Sequence, residues 1–111
     1  MLELRRSPRY PTRASASIPG VMEGENPIKD LSITGCCIES ASHTGQAGVQ
    51  YQLQIEPEKA AHIGNFQLLV EQKWVHTGEN STEIGFIIIA SPKGKQFQHY
   101  IDYLAYRNSN L

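Results

Sequence analysis

Two short stretches of this chain hold side chains whose types and spacing suit chemistry. Arg5-Arg6-Ser7-Pro8-Arg9 sets arginines four residues apart, and Asp30-x-Ser32-x-x-Gly35 follows some 20 residues later. A guanidinium offers planar, two-pronged donors that match a phosphate or the O6/N7 edge of guanine, and its flat face stacks on a purine. Pro8 narrows the conformations open to the arm and so lowers the entropy cost of placing Arg9. Asp30 supplies an acceptor pair suited to the N1–H and N2–H₂ donors of guanine, Ser32 a small hydroxyl, and Gly35 room for close approach. Each stretch also has a plain alternative. The arginines can be a solvated basic tail. Asp30 and Ser32 can shape a turn through their own backbone, with Gly35 at positive φ.

Charge is distributed in keeping with a local anion site. Residues 1–13 hold Arg5, Arg6, Arg9 and Arg13 against Glu3 alone, a charge of +3, whereas the whole chain of 111 residues carries −1. General nucleic-acid binding calls for a broader basic surface. With 40% hydrophobic and 19% charged residues, disorder is excluded as the default. The longest apolar run, Ile84 to Ala90, is far below the ~20 residues that span a bilayer, and no signal-peptide pattern opens the chain. The expected location is the cytoplasm, without membrane insertion. Cys36 and Cys37 are adjacent, so on a strand they face opposite ways and a disulfide between them is not expected; one is read as buried and the other as half-buried. His43, His62 and His99 have no ligand spacing and are read as surface residues, so no metal site is expected. No Ser/His/Asp or Cys/His arrangement and no carboxylate pair points to catalysis.

These groups need a scaffold, and the hydrophobic pattern describes one. Pro8 and Pro11 keep residues 1–12 extended, as an arm expected to be flexible. Ala14, Ala16 and Ile18 alternate with serines as a modest strand ending at Pro19-Gly20. A turn at Gly24-Glu25-Asn26 is expected to lead into a second strand through Ile28 to Leu31. Cys36 to Ser40 follows as a third. Val49, Tyr51, Leu53 and Ile55 alternate strictly with glutamines. A longer strand runs from Phe66 to Val75, and Thr77-Gly78-Glu79-Asn80 turns it back. On the return strand Ile84, Phe86 and Ile88 face one way and Ile87 and Ile89 the other, so cover on both sides is expected. From Ser91 the period changes: Phe97, Tyr100, Ile101 and Leu104 make one helical stripe, with Ser91 as cap and Pro92 in the first turn. About six short antiparallel strands and one amphipathic helix suggest a small barrel or partly open roll. Trp74, the single tryptophan, sits either in the barrel wall or free to stack on a base, and His76 shares its face.

The spaced Arg5/Arg9 and Asp30/Ser32/Gly35 motifs, the Arg9-Tyr10-Pro11 start, the Trp74 strand, Ile84-Gly85-Phe86 and the closing helix together resemble the PilZ domain family over essentially the whole chain. The resemblance implies an all-β fold, a six-stranded antiparallel β-barrel with a C-terminal α-helix: arm 1–12, barrel 13–90, helix 91–107. It implies a receptor for the bacterial second messenger cyclic di-GMP, with no cofactor besides that ligand and no enzyme activity. By position, Arg5, Arg9, Asp30, Ser32 and Gly35 are the implied contacts; Arg6, Trp74 and His76 are further candidates. Ligand closure of the arm would then signal to a protein partner in motility, secretion or polysaccharide export. Two alternatives belong to other classes: a PilZ-like adaptor that binds only protein, and a small barrel that binds single-stranded nucleic acid.

Overall fold

A computed structural model describes residues 8–91 and 95–109 of the chain. Its strands are β1 (Tyr10–Pro11), β2 (Ser15–Ile18), β3 (Met22–Leu31), β4 (Gly35–Ser40), β5 (Gln50–Glu56), β6 (Phe66–Thr77) and β7 (Thr82–Ala90), followed by helix α1 (Gln96–Ser109). Strands β2 to β7 close an antiparallel six-stranded barrel in the order β3-β2-β5-β6-β7-β4, because β4 returns to pair with β3. The extra strand β1 lies along the edge of β3 that β2 uses, pairing Tyr10 with Leu31 and Pro11 with Asp30. The last residues of the arginine arm are therefore hydrogen-bonded into the sheet.

Alternation decides the inside. Ile28, Leu31, Ile38, Leu53, Ile55, Leu68, Val70 and Ile84 are all at most 1% exposed, and each such side chain contributes about 1.5–3 kcal/mol through its burial. Helix α1 adds Phe97, Tyr100, Ile101 and Leu104 to this core, the stripe expected from the sequence. Its Phe97 and Tyr100 rings lie 5.8 and 6.3 Å from Phe66 at the start of β6.

Several local expectations are corrected. The first hairpin turns at Pro19-Gly20, where Gly20 takes φ +84° and the Val21 N–H donates to the Ile18 carbonyl at 2.9 Å. Residues 24–26 lie inside β3 rather than in a turn. The buried Asn26 amide donates to the Ala16 carbonyl at 2.9 Å and to the Glu23 carbonyl at 3.1 Å, which stitches the irregular part of the β2–β3 pairing. Strand β7 is covered on one side only: Ile87 and Ile89 are 39% and 46% exposed. The helix begins at Gln96, beyond the expected start at Ser91, and runs to Ser109, past the expected end at Arg107; Pro92 lies outside the described residues. Cys36 and Cys37 are both buried and form no disulfide. His43 is half-buried, its Nε2 2.7 Å from Gln72 Oε1 and its ring edge-on to Phe86.

Candidate functional site

The edge of β3 brings Arg9, the last residue of the first motif, to the second motif. Pairing of Tyr10 with Leu31 sets the preceding residue, Arg9, beside the strand end. Arg9 Nη1 donates to Asp30 Oδ1 at 2.6 Å, with 51% and 34% of the two side chains exposed. A pair so open to water is worth about 0.2–1 kcal/mol, so a ligand can replace it at small cost. Gly35 lies under the same guanidinium. A methyl group built there would sit 2.7 Å from the Phe86 carbonyl oxygen and 3.4 Å from Arg9 Nη2. The glycine is required by this close approach; its φ is not positive, which corrects the turn-based reading.

Ser32 lies in the β3–β4 turn and is 1% exposed. Its N–H donates to the Gly35 carbonyl at 2.9 Å, and its hydroxyl oxygen accepts the N–H groups of Thr34 and Gly35, both at 3.1 Å. The hydroxyl thus holds the turn that sets Asp30 and Gly35 apart. Arg5 and Arg6 lie outside the described residues.

Register extends the site across the barrel wall. Asp30 pairs with Cys37, Cys37 with Gly85, and Gly85 with Trp74. Residues directly opposed in neighbouring strands share a face, so these four form one row on the outside of the sheet. Its ends are Asp30 with Arg9, and the 46% exposed Trp74; Cys37 and Gly85 make the floor. Burial and the neighbouring Asp30 and Glu83 charges push the Cys37 thiol up, which makes it a poor nucleophile. Cys36 faces the core, where burial raises it to about 12. His76 lies one row further, opposite Glu83. Glu83 Oε2 accepts from Lys29 Nζ at 2.6 Å, and this bond lowers the glutamate and raises the lysine.

A second polar centre was not foreseen from the sequence. Glu58, with 8% of its side chain exposed, accepts from the Thr12 hydroxyl at 3.2 Å, the Arg13 N–H at 3.0 Å, the Tyr100 hydroxyl at 3.1 Å and the Tyr103 hydroxyl at 3.2 Å. Arg107 Nη1 ion-pairs with it, and Arg107 Nη2 donates to the Pro11 carbonyl at 2.7 Å. Desolvation pushes the Glu58 carboxyl up, but the Arg13 N–H, the Tyr100 hydroxyl, the Arg107 charge and the Thr12 hydroxyl outweigh it and hold it below the ordinary glutamate range. Tyr100 is pushed up to about 12 by its burial. This cluster staples the segment after Arg9 to helix α1. Among the described residues no group of three or more His, Cys, Asp and Glu side chains is placed to hold a metal, and no helix is long and apolar enough to cross a membrane.

No family model matches the sequence, and no curated protein is similar to it. Solved structures are. The PilZ domain of Escherichia coli YcgR, solved with c-di-GMP, superposes with a TM-score of 0.67 at 17% identity, over 96% of this chain and 95% of that one. The chain has the PilZ fold. The Bacillus subtilis inhibitor of motility MotI/DgrA superposes with a TM-score of 0.77 at 17% identity, covering 96% of this chain and 52% of that one. A second YcgR structure in complex with c-di-GMP gives 0.67 at 14% identity, covering 96% and 47%. The PilZ barrel described here thus spans about half the length of those two chains.

Proposed function

We propose that this PilZ-fold domain is a non-catalytic receptor for cyclic di-GMP, and that ligand capture rearranges the arginine arm to signal to a protein partner. The observation that carries the reading is the meeting of Arg9, Asp30 and Gly35 at the edge of a barrel whose fold is shared by YcgR domains solved with that nucleotide. Arg9 already presents its fork to an anion, and Asp30 presents an acceptor pair to the Watson–Crick donors of guanine once the arginine moves. Arg5 and Arg6 add charge for the phosphates, and the +3 arm speeds capture of a dianion. Ser32 acts by fixing the turn, and His76 flanks the row from the Glu83 side.

Signalling follows from population shift: the nucleotide favours whichever arm position it contacts more. Next to Gly35, Ile33 and Ile87 expose 49% and 39% of their surface, an apolar area on which a partner can read the arm's position. The same area supports the adaptor reading, in which protein contact alone is the function. The resemblance to an inhibitor of motility favours a motility partner over secretion or polysaccharide export.

Calorimetric titration with cyclic di-GMP is the test. A saturable one-site or paired-nucleotide isotherm, weakened about 30-fold in Arg9→Ala and weakened also in Asp30→Ala with the circular dichroism spectrum intact, is the expected result. No heat from the folded wild-type protein would sink the receptor reading and leave the adaptor. Equal affinity for an oligonucleotide would favour the single-stranded nucleic-acid reading.

A further inference from the structure

We propose that the open edge of β6 at residues 73–77 is the contact through which two copies of this chain pair strand to strand, antiparallel and centred on Val75. The inference goes beyond the receptor reading and does not depend on it.

The edge arises because the strands beside β6 differ in length. Pairing with β5 ends at Glu71. The Gln72 backbone still has partners on that side: the Gly48 N–H donates to the Gln72 carbonyl at 2.8 Å, and the Gln72 N–H donates to the Val49 carbonyl at 3.0 Å. On the other side β6 stays paired with β7 as far as Thr77. Among the described residues no strand flanks residues 73–77 where β5 has ended, and all five are exposed. The Gly78 N–H donates to the Ser81 carbonyl at 2.8 Å. Antiparallel bonding alternates along a strand. His76 and Trp74 therefore turn their backbone groups to β7, and Val75 and Thr77 turn theirs outward. Such an edge is a template for another strand.

The side chains agree. Val75 stands opposite the fully buried Ile84, yet it is 48% exposed because no β5 residue covers it there. Trp74, Val75 and Thr77 are good strand formers, and no proline interrupts residues 73–77. Edges are commonly blunted by a lysine or a bulge. Here Lys73 is paired with Glu71 of its own strand at 3.6 Å. The bulge lies between Gln72 and Trp74, so the register from Trp74 to Thr77 is regular.

A second copy is the occupant that fits. A two-fold axis at Val75 sets Val75 against Val75, Trp74 against His76 and Lys73 against Thr77. The first is a β-branched pair, the second an aromatic one, and no like charges are opposed. The outward N–H and C=O of one Val75 bond to those of the other. A net charge of −1 gives little repulsion between copies. The sheet then runs without a break from β4, β7 and β6 of one copy into β6, β7 and β4 of the next. His76 of the second copy extends the row that begins at Asp30, so each copy adds a residue to the other's row.

Sedimentation equilibrium on the wild-type protein from about 10 μM to about 1 mM tests this. The interface is small, so a reversible dimer with a dissociation constant of about 100 μM is expected. The chain has one tryptophan, and its emission should shift to the red on dilution as Trp74 loses its cover. Val75→Lys and Val75→Glu change an exposed side chain, and circular dichroism should show both folded. Each places like charges on the axis and should weaken the dimer about tenfold or more. An equimolar mixture of the two opposes lysine to glutamate and should restore association. A wild-type monomer throughout the range would overturn the inference and leave the edge to a strand of a different protein. A dimer unchanged in Val75→Lys, or a mixture no tighter than either variant alone, would overturn it as well.

Discussion

Asp30 and Glu58 both meet an arginine from a distant part of the chain, and the two pairs do opposite things. Glu58 has 8% of its side chain exposed and accepts from the backbone of Arg13, three hydroxyls and Arg107. Asp30 has 34% exposed and, among the described residues, ion-pairs with an Arg9 that is itself half in water. The first carboxylate is spent on structure, since every acceptor direction is filled and removal would strand its partners. The second holds its arginine in a pair open to water. Only a few residues of chain separate Arg9 from Thr12 and Arg13, so a firm anchor and an exchangeable contact sit side by side. What distinguishes the two pairs is exposure to water, since the residue types are nearly the same.

Breaking the staple should give the largest effect. Glu58→Ala leaves Arg107 and the Tyr100 hydroxyl without their acceptor and should cost about 3 kcal/mol of stability, read from urea unfolding; nucleotide affinity of the folded fraction should change little. A drop below 1 kcal/mol would erase the contrast. Arg9→Ala is the converse. It should lower cyclic di-GMP affinity about 30-fold, in line with loss of one charged hydrogen-bonded contact, while the urea midpoint moves by less than the ~1 kcal/mol upper value of an exposed pair.

Ser32→Ala sharpens the comparison from the turn. Its buried hydroxyl serves Thr34 and Gly35, so stability should fall by about 1 kcal/mol, with affinity following only as far as the turn loosens. The smallest effect is on pH dependence. The folded-state value of Glu58 lies below its unfolded value of about 4.3. Its contribution is therefore complete above that value and is lost as pH falls through the folded one. Acid unfolding followed by circular dichroism should show a shallower loss from about pH 4.3 downward in Glu58→Gln than in the wild type. Identical acid limbs would mean that the carboxylate's partners do not favour its charged form.

The barrel was largely legible because its strands alternate. Val49 to Ile55 reads as a half-buried strand, and β5 spans Gln50–Glu56. The helical stripe was legible for the same reason, with Phe97, Tyr100, Ile101 and Leu104 all buried. Alternation failed where the chain departs from it. Gly24 to Asn26 carries turn residues, yet Asn26 uses its amide inside β3 to hold an irregular pairing. Ile87 and Ile89 are apolar on an exposed face, where periodicity gives no warning. Of the site, the types and spacing of Arg9 and Asp30 marked both as candidate ligand contacts; their ion pair with each other was not foreseen. The row from Asp30 to Trp74 was not readable, because it depends on register across four strands and on the irregularity between Gln72 and Trp74. Glu58 lies just past β5, and its side-chain partners come from both ends of the sequence. Nothing local marks it.

The bond from Arg107 to the Pro11 carbonyl has a consequence for architecture. It brings the chain's point of entry into the barrel next to its point of exit from the helix. A unit whose two doors adjoin can be spliced into a surface loop of another protein without prying that loop open. Grafted this way, the barrel would join its host with both seams at one spot.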